Sequence, residues 1–280
     1  MDSPTEEMLQ QARKLIIECD ALLITAGAGM GVDSGLPDFR GNTGFWEAYP
    51  VAKTRGLSFE SLANPEWFEH DPALAWAFYG HRLQLYRDTI GHEGFSLLRE
   101  LCQSKGDNYF ILTSNVDGQF QKAGFDEKQI CEIHGSIHHL QCVSNKEHGI
   151  WSAKNDTVTV DMESFKAAAP LPVCPKCSSL ARPNILMFGD WDWIGDRSDK
   201  QMKRFVSWKA SMVKEKKKIA VIEIGAGTAI PSIRSMSESS AKQFKTPLIR
   251  INPRKYQGLY NTIKLSFGGA DGIQKICASR

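Results

Sequence analysis

The chain has 280 residues, of which 42% are hydrophobic and 24% are charged, and its formal net charge is +2. This length and apolar content predict one large domain with a smaller insertion. The small net charge gives no indication of direct nucleic-acid binding, which needs a clustered basic face. We expect no membrane span, since no apolar segment reaches about 18 residues, and no secretory signal, since the N-terminus is acidic and polar.

The seven cysteines show no regular disulfide-like spacing apart from one Cys-x-x-Cys pair, Cys174 and Cys177. An odd number of unpaired cysteines is typical of a protein from a reducing compartment. We therefore predict reduced thiols in a cytoplasmic protein, some of which bind metal.

Short apolar segments recur along the chain, and nearly all of them end in Gly, Asn or Asp. An amphipathic helix, with apolar residues at helical spacing, precedes the first of them. The predicted strands are 21–25, 109–113, 129–133, 219–224, 248–251 and 263–267. This rhythm predicts an α/β fold with a doubly wound parallel sheet, whose switch-point edge binds a nucleotide.

Two segments interrupt the rhythm of strands and helices. Residues 43–90 are rich in aromatic residues and proline and carry no strand pattern, and Asp71-Pro72 is typical of a helix start. Residues 137–183 contain the Cys-x-x-Cys pair. We predict one folded unit over 1–280, with a large Rossmann-like part and a small part. The large part comprises 1–42, 91–136 and 184–280; the small part comprises 43–90, which is helical, and 137–183, which is zinc-ribbon-like.

A glycine-rich stretch, 27–41, follows the first predicted strand. Gly27 and Gly29 lack a Cβ, so a diphosphate could lie against bare backbone N–H groups, although such a turn is often only a tight connection. The usual dinucleotide fingerprint fails, because Val32 occupies its third glycine position. The next residues place an acid, an aromatic ring and a guanidinium side by side in a loop: Asp38, Phe39 and Arg40.

Three segments resemble signatures of the sirtuins, the NAD-dependent protein deacylases. The first is Gly27-Ala28-Gly29 with the run 34–41, except that Gly31 stands where the family usually has serine. The second is Thr113-Ser-Asn-Val-Asp-Gly118, in which Ser114 replaces a glutamine. The third is Glu132-Ile-His-Gly-Ser136.

The resemblance implies roles for these residues. Asp38, Asn115 and Asp117 would hold nicotinamide, and the replacement at Ser114 removes a contact to its ribose; Asn and Asp after a strand often only cap the following helix. His134 would be the general base, since an imidazole of pKa about 6.5 accepts a proton near neutrality. The catalytic set is His134, Asn115 and Asp117.

The rest of the cofactor site follows from the same resemblance. Arg40 would neutralise the diphosphate or close over the site, and Phe39 would shield the reacting carbon or simply pack the loop. Asn252 matches an asparagine that holds the adenosine ribose. Glycines stand at 225 and 227, where the family has Gly-Thr/Ser-Ser. The predicted NAD-binding residues are Gly27, Ala28, Gly29, Asp38, Phe39, Arg40, Ser114, Asn115, Asp117, Gly225, Gly227, Asn252 and Asp271.

Two further segments resemble substrate-binding parts of the family. Residues 181–190 follow a family segment whose tail, here Phe188 and Gly189, pairs with the substrate backbone as an added strand. Tyr79 and Arg82 resemble the Tyr-x-x-Arg pair of members that remove acidic acyl groups such as succinyl. The alternative is an ordinary helix face with a core tyrosine and a solvated arginine.

The cysteine motif resembles an incomplete four-cysteine zinc site. Cys142, Cys174 and Cys177 are the predicted ligands, and Asn145 stands where the family has its second cysteine. His148 could complete the tetrahedron, or the metal could be absent and packing could hold the segment. A zinc ion here would be structural, because thiolate sites of this kind leave no open catalytic position.

The resemblance as a whole implies an NAD-dependent protein-lysine deacylase that transfers the acyl group of a modified lysine to ADP-ribose. The expected partner is an acyl-lysine protein or peptide. Two alternatives are a sirtuin-like NAD hydrolase or ADP-ribosyltransferase, and a non-catalytic module that senses NAD or ADP-ribose.

Overall fold

The structure is a computed structural model that describes residues 4–37, 41–259 and 261–278. Its strands are β1 (Ala21–Ala26), β2 (Tyr109–Thr113), β3 (Ile130–Glu132), β4 (Gly135–Cys142), β5 (Ile150–Ser152), β6 (Val160–Asp161), β7 (Lys166–Ala167), β8 (Ala181–Ile185), β9 (Ile219–Ile224), β10 (Leu248–Ile251) and β11 (Thr262–Leu265). Its helices are α1 (Pro4–Glu18), α2 (Gly41–Ala48), α3 (Pro50–Thr54), α4 (Phe59–Leu62), α5 (Trp67–His70), α6 (Pro72–Asp88), α7 (Glu93–Ser104), α8 (Gln119–Lys122), α9 (Asp196–Lys214), α10 (Ser232–Phe244) and α11 (Gly269–Cys277).

Six strands form one parallel sheet in the order β11-β10-β9-β1-β2-β3. The predicted α/β class and parallel sheet are therefore confirmed. The chain leaves β1 towards β2 on one side and later returns to β9 on the other, so the switch point lies beside β1. Crevices at the carboxyl ends of strands next to such a point are where ligands bind in open α/β sheets.

Helices cover both faces of this sheet. Leu9, Ala12 and Ile16 of α1 are buried at helical spacing in the core on one face, to which α7 and α11 also contribute. On the other face, Phe205 of α9 and Ile233 of α10 pack on the strands. Every residue of β1 and β9 is buried. A ligand can therefore reach these strands only at their ends, along the edge of the sheet.

A second core joins the helical segment to a small antiparallel sheet of order β5-β4-β8. It is rich in aromatic contacts, such as the edge-to-face pair of Phe45 and Phe78, whose ring centroids are 5.9 Å apart. Trp76 Nε1 donates to the carbonyl of Ala181 at 3.0 Å and so ties α6 to β8. Asp71 caps α6 by accepting from the N–H of Leu74. The domain boundaries given above remain a prediction.

Helix length and hydropathy give no sign of a bilayer-crossing segment anywhere in residues 4–37, 41–259 or 261–278. The seven cysteines are all free thiols.

Candidate functional site

The ends of β1, β2 and β3 bring the three motifs together at one edge of the parallel sheet. The N–H of Ser114 donates to the carbonyl of Ala26 at 3.2 Å. Asn115 Nδ2 donates to the carbonyl of Gly27 at 3.1 Å, and the N–H of Asn115 is held by Thr113 Oγ1 at 3.0 Å. The glycine turn and the second motif are therefore in direct contact.

The glycine turn packs against the turn that follows β9. The N–H of Gly27 donates to Ile224 O and that of Gly29 donates to Gly225 O, both at 3.0 Å. These two N–H groups are thus not open to a diphosphate in the way the sequence suggested, because they donate to the last residue of β9 and to the turn that follows it. Within residues 27–31, only the N–H of the exposed Ala28 has no backbone acceptor. A cofactor contact at these glycines remains a prediction.

The close approach of these two turns requires a glycine at position 225. Its φ is +64°, and a Cβ added there would lie 2.4 Å from the carbonyl carbon of Gly29. We expect Gly225→Ala to lower the free energy of unfolding by about 3 kcal/mol, since backbone strain and a rigid clash add together. Urea unfolding measures this.

Gly106→Ala is the matched control, because Gly106 has φ +66° and nothing within 4 Å of an added Cβ. This variant should lower the free energy of unfolding by about 1 kcal/mol, which is the strain of the left-handed conformation alone. Equal losses in the two variants would show that the contact between the turns does not contribute.

Asp117 is buried beside the short helix α8. One carboxylate oxygen accepts from the N–H of Gln119, the first residue of α8, at 2.9 Å, although the N-cap of this helix is Gly118. His138 Nε2 donates to the backbone carbonyl of Asp117 at 2.8 Å, so β4 also holds this loop. Burial raises the pKa of Asp117 to about 6, against the opposing hydrogen bond from Gln119. The carboxylate is therefore ionised at neutral pH but close to its titration range.

His134 lies between β3 and β4 and is partly exposed. Its backbone carbonyl accepts from the N–H of Leu186 at 3.0 Å. Burial lowers the pKa of the imidazole, while a hydrogen bond with the backbone of Ser114 opposes that shift. The ring is thus neutral at pH 7 and can accept a proton, at the same sheet edge as Asn115 and the glycine turn.

The remaining predicted cofactor residues lie around the ends of β9 to β11. Asn252 is fully buried; its Nδ2 donates to Ala226 O at 2.9 Å, and its Oδ1 accepts from the N–H groups of residues 254 and 255. Asp271 is half-exposed in the first turn of α11 and pairs with Lys275 at 3.2 Å. Contacts of Asn252, Asp271 and Gly227 with a cofactor remain predictions. Asp38, Phe39 and Arg40 lie outside the described residues.

Tyr79 and Arg82 lie side by side in α6, with the guanidinium carbon 5.6 Å from the tyrosine ring centroid. Both are buried, so the alternative of a solvated arginine is wrong. Arg82 Nε and Nη2 donate to the hydroxyl of Tyr86 at 3.1 and 2.9 Å, and the guanidinium lies 4.9 Å from the ring centroid of Phe78. The arginine is therefore held in a fixed orientation within an aromatic core.

The predicted substrate segment is anchored at several points. The N–H of Phe188 donates to the carbonyl of Ala63 at 2.8 Å, so this N–H is not open to a substrate strand. Gly189 is exposed with φ +68°. Just after it, Asp190 forms a buried two-point ion pair with Arg182 at 2.7 and 2.8 Å. Pairing of Phe188 and Gly189 with a substrate backbone remains a prediction.

Four side chains of the cysteine motif converge on one point. The ligand atoms of Cys142, His148, Cys174 and Cys177 all lie within 4.8 Å of one another, and could hold a metal ion. Cys142 Sγ is 3.7 Å from Cys177 Sγ, and Cys174 Sγ is 3.3 Å from His148 Nδ1. Three thiols and one imidazole are a donor set that suits tetrahedral zinc.

Asn145 does not join these four. Its Oδ1 accepts from the N–H of Glu147 at 2.8 Å, which caps the short turn that carries His148. The residue at the position of the family's second cysteine therefore orients a turn, and His148 supplies the fourth ligand atom. At the exposed corner, hydrogen bonds from Ser179 lower the pKa of Cys177 to about 6, which favours the thiolate.

A comparison with protein families gives a match to the Sir2 family over residues 27–213. The chain belongs to the Sir2 family. Among curated proteins of similar sequence, an NAD-dependent protein deacylase of Thermococcus sibiricus is 32% identical over 65% of this chain and 66% of its own length. The mitochondrial NAD-dependent protein deacylase sirtuin-5 of Danio rerio is 29% identical over 68% of this chain and 63% of its own. The chain thus covers less than two thirds of each.

Solved Sir2 structures resemble this chain over almost its whole length. A mutant Sir2 homologue in complex with ADP-ribose has a TM-score of 0.70 and 25% identity, covering 96% of this chain and 94% of its own. The fold of the Sir2 family is therefore present beyond the segment that the family match covers.

Several residues that hold the candidate site in place were not predicted from the sequence. Asp33 Oδ2 accepts from the N–H of Ala270 at 2.7 Å and ties the glycine-rich stretch to the start of α11. Tyr86 orients Arg82, and His138 holds the loop of Asp117. Of these residues, only Tyr86 could have been found from the sequence, because it lies four residues after Arg82 on a predicted helix and is therefore its neighbour on the helix surface.

Proposed function

We propose that this chain is an NAD-dependent protein-lysine deacylase. The observation that carries the proposal is a neutral, partly exposed imidazole, His134, at the sheet edge where the glycine turn, Asn115 and Asp117 also lie. Membership of the Sir2 family supports it, as do relatives named NAD-dependent protein deacylases. The structural similarity to a Sir2 homologue complexed with ADP-ribose supports NAD as the co-substrate.

Each residue has a task in this proposal. The N–H of Ala28 donates to the diphosphate, because it is the free donor of the glycine turn. Asn115 Nδ2 donates to the carboxamide oxygen of nicotinamide, and the ionised Asp117 accepts from the carboxamide N–H group. His134 accepts a proton from a ribose hydroxyl, which turns that oxygen into the nucleophile for the acyl carbon. NAD would supply the ADP-ribose group to which the acyl group passes; nicotinamide is the leaving group, and one water molecule is consumed as the lysine amine is released.

The decisive experiment follows nicotinamide release from NAD with and without an acyl-lysine peptide. A deacylase releases nicotinamide only with the peptide, and mass spectrometry then finds free lysine and O-acyl-ADP-ribose in equal amounts. Release that does not need the peptide would identify an NAD hydrolase. No release under either condition would favour a sensing module.

The acyl group is proposed to be acidic, such as succinyl. The hydrogen bonds described for Arg82 go to a neutral phenol, and its guanidinium is packed among aromatic rings. A carboxylate brought to a desolvated guanidinium gains strong charge-assisted hydrogen bonds. The Tyr-x-x-Arg pair, which resembles that of family members that remove acidic acyl groups, supports the same class of substrate.

Arg82→Met tests this preference. We expect kcat/KM for a succinyl-lysine peptide to fall about 100-fold, since loss of one partner of a buried charge pair is costly, while acetyl-lysine turnover is kept. Arg87→Met, in the same helix, is the control, because Arg87 donates to the backbone carbonyls of Asp156 and Ala153. Equal turnover of both peptides by the wild type would remove the proposed preference.

We propose further that Cys142, His148, Cys174 and Cys177 hold one structural zinc ion. Three thiols and an imidazole match the metal, and none of the four belongs to the sheet edge that carries His134. The ion would fix the connections between β4, β5 and β8. We also propose a cytoplasmic location, which the seven free thiols support.

A further inference from the structure

A cavity of about 490 Å³ lies along α9. Its walls come from the first turns of α9, the turn 127–129 before β3, and the β4–β5 pair. None of Gly27, Asn115, Asp117 or His134 lines it. Its volume is in the range of small-molecule sites.

Basic side chains dominate the walls of this α9 groove. It is lined by the cationic groups of Lys128, Arg197, Lys200 and Arg204, with His139 beside them. The carboxylates among the lining residues are Glu127 and Asp196. These residues come from three separate parts of the chain, so the cluster is a product of the fold.

Most of these cations have no carboxylate partner in the described part of the chain. Arg204 donates only to the backbone carbonyls of residues 127 and 128. The ammonium groups of Lys128 and Lys200 form no hydrogen bond or ion pair there. Arg197 Nη2 pairs with Glu132 at 2.5 Å.

Two buried polar atoms of the groove residues are also without partners among the described residues. They are Nη1 of Arg197 and Nδ1 of His139. Burial, together with the nearby positive charge of Arg197, lowers the pKa of His139 to about 4. Glu132 Oε1, on the carboxylate that pairs with Arg197, is also without a partner among the described residues, so these buried atoms mark unsatisfied polar groups behind the groove, and the case for a ligand rests on the cations that line it.

We propose that the α9 groove binds a small molecule through a phosphate group, at a site separate from the NAD crevice. Guanidinium groups suit paired phosphate oxygens, and Arg197 and Arg204 supply two of them. The phosphate lies beside the 19-residue helix α9, whose first turn already carries the carboxylates of Asp196 and Asp199, so the attraction comes from the side-chain cations of the groove. Ile150 gives the apolar wall against which the rest of the molecule packs.

The test is calorimetric titration with inorganic pyrophosphate, on protein already saturated with ADP-ribose so that the crevice is filled. AMP is a second probe, which adds a base and a sugar to the phosphate. We expect binding of one equivalent, and a shift of the His139 ring signal in the NMR spectrum. In the double variant Lys128→Gln/Lys200→Gln, which changes two exposed side chains, binding should weaken at least about tenfold.

The control is Lys203→Gln/Lys214→Gln, which removes the same charge from α9 at exposed positions outside the groove. It should change the affinity less than about twofold, the effect of net charge at a screened distance. Equal weakening in both double variants, no pyrophosphate binding by the wild type, or a His139 signal that does not respond would each overturn the proposal. If ADP-ribose itself fails to bind, NAD as co-substrate is in error, and the two variants still decide the groove.

Discussion

Replacing His134 by alanine is expected to lower kcat for peptide-dependent nicotinamide release and acyl transfer about 10³-fold, the usual contribution of a positioned general base. In the proposed mechanism, the proton acceptor is the imidazole that follows β3 at the edge that also carries Asn115. Stopped assays of O-acyl-ADP-ribose by mass spectrometry measure the change. Binding of ADP-ribose should be kept, because this role concerns proton transfer rather than cofactor affinity.

The control is His70→Gln, which alters an exposed histidine at the end of α5. Its activity should equal that of the wild type. A His134→Ala protein that folds, binds ADP-ribose and still deacylates at the wild-type rate would exclude His134 as the base, and the proposed mechanism with it.

The same residue sets the expected acid side of the pH profile. Burial lowers the pKa of His134, so the base stays neutral below the 6.5 of a free imidazole, and activity is lost only as the pH falls through this lowered value. Asp117, whose pKa is raised to about 6, takes up a proton in the neighbouring range. We therefore expect log(kcat/KM) to fall more steeply than a single ionisation allows.

The second large effect concerns the metal ligands. We expect His148→Ala to weaken zinc binding by more than the roughly 100-fold that changes to outer-shell partners produce, because it removes one of four donor atoms. Competition with a chromogenic chelator measures the affinity. Hydrogen exchange should also quicken over residues 142–180, since structural zinc contributes directly to the stability of the segment that it joins.

Asn145→Ala is the matched control for this position. Asn145 caps the turn that carries His148 by accepting from the N–H of Glu147 at 2.8 Å, and its Nδ2 lies 3.4 Å from His148 Nε2, but it offers no ligand atom to the metal. We expect this variant to retain zinc with an affinity reduced by about tenfold at most. Equal loss of zinc in both variants would contradict His148 as the fourth ligand.

The sheet could be predicted from the sequence because its signals are local. The run Ala21–Ala26 is apolar and ends at a glycine, and the same pattern recurs before Asn115 and Gly225. The ends of the strands were predicted less accurately than their positions: the last strand ends at Leu265 and not at residue 267. Hydrophobicity identifies a buried strand, but backbone pairing with its neighbour decides where it ends.

The candidate site was predicted only where its residues form continuous motifs. Asp33 and Ala270 are joined across 237 positions of sequence, and no local pattern indicates such a contact. The N–H groups of Gly27 and Gly29 were expected to face a ligand, yet they donate to the carbonyls of Ile224 and Gly225, at the end of β9 and just after it. Burial of Arg82 likewise depends on which elements pack around α6, which helical periodicity alone does not determine.

Only two residues, Ile133 and His134, separate β3 of the parallel sheet from β4 of the antiparallel one. One inserted residue would displace the following chain by about 3.3 Å, the rise of an extended strand, and would move the imidazole relative to Asn115 and the glycine turn. Gly135 adds a second restriction, because an added Cβ there would meet the carbonyl oxygen of Asn184. Natural variants that differ in length should therefore place their insertions elsewhere, such as after β5 or after α9, and leave this junction untouched.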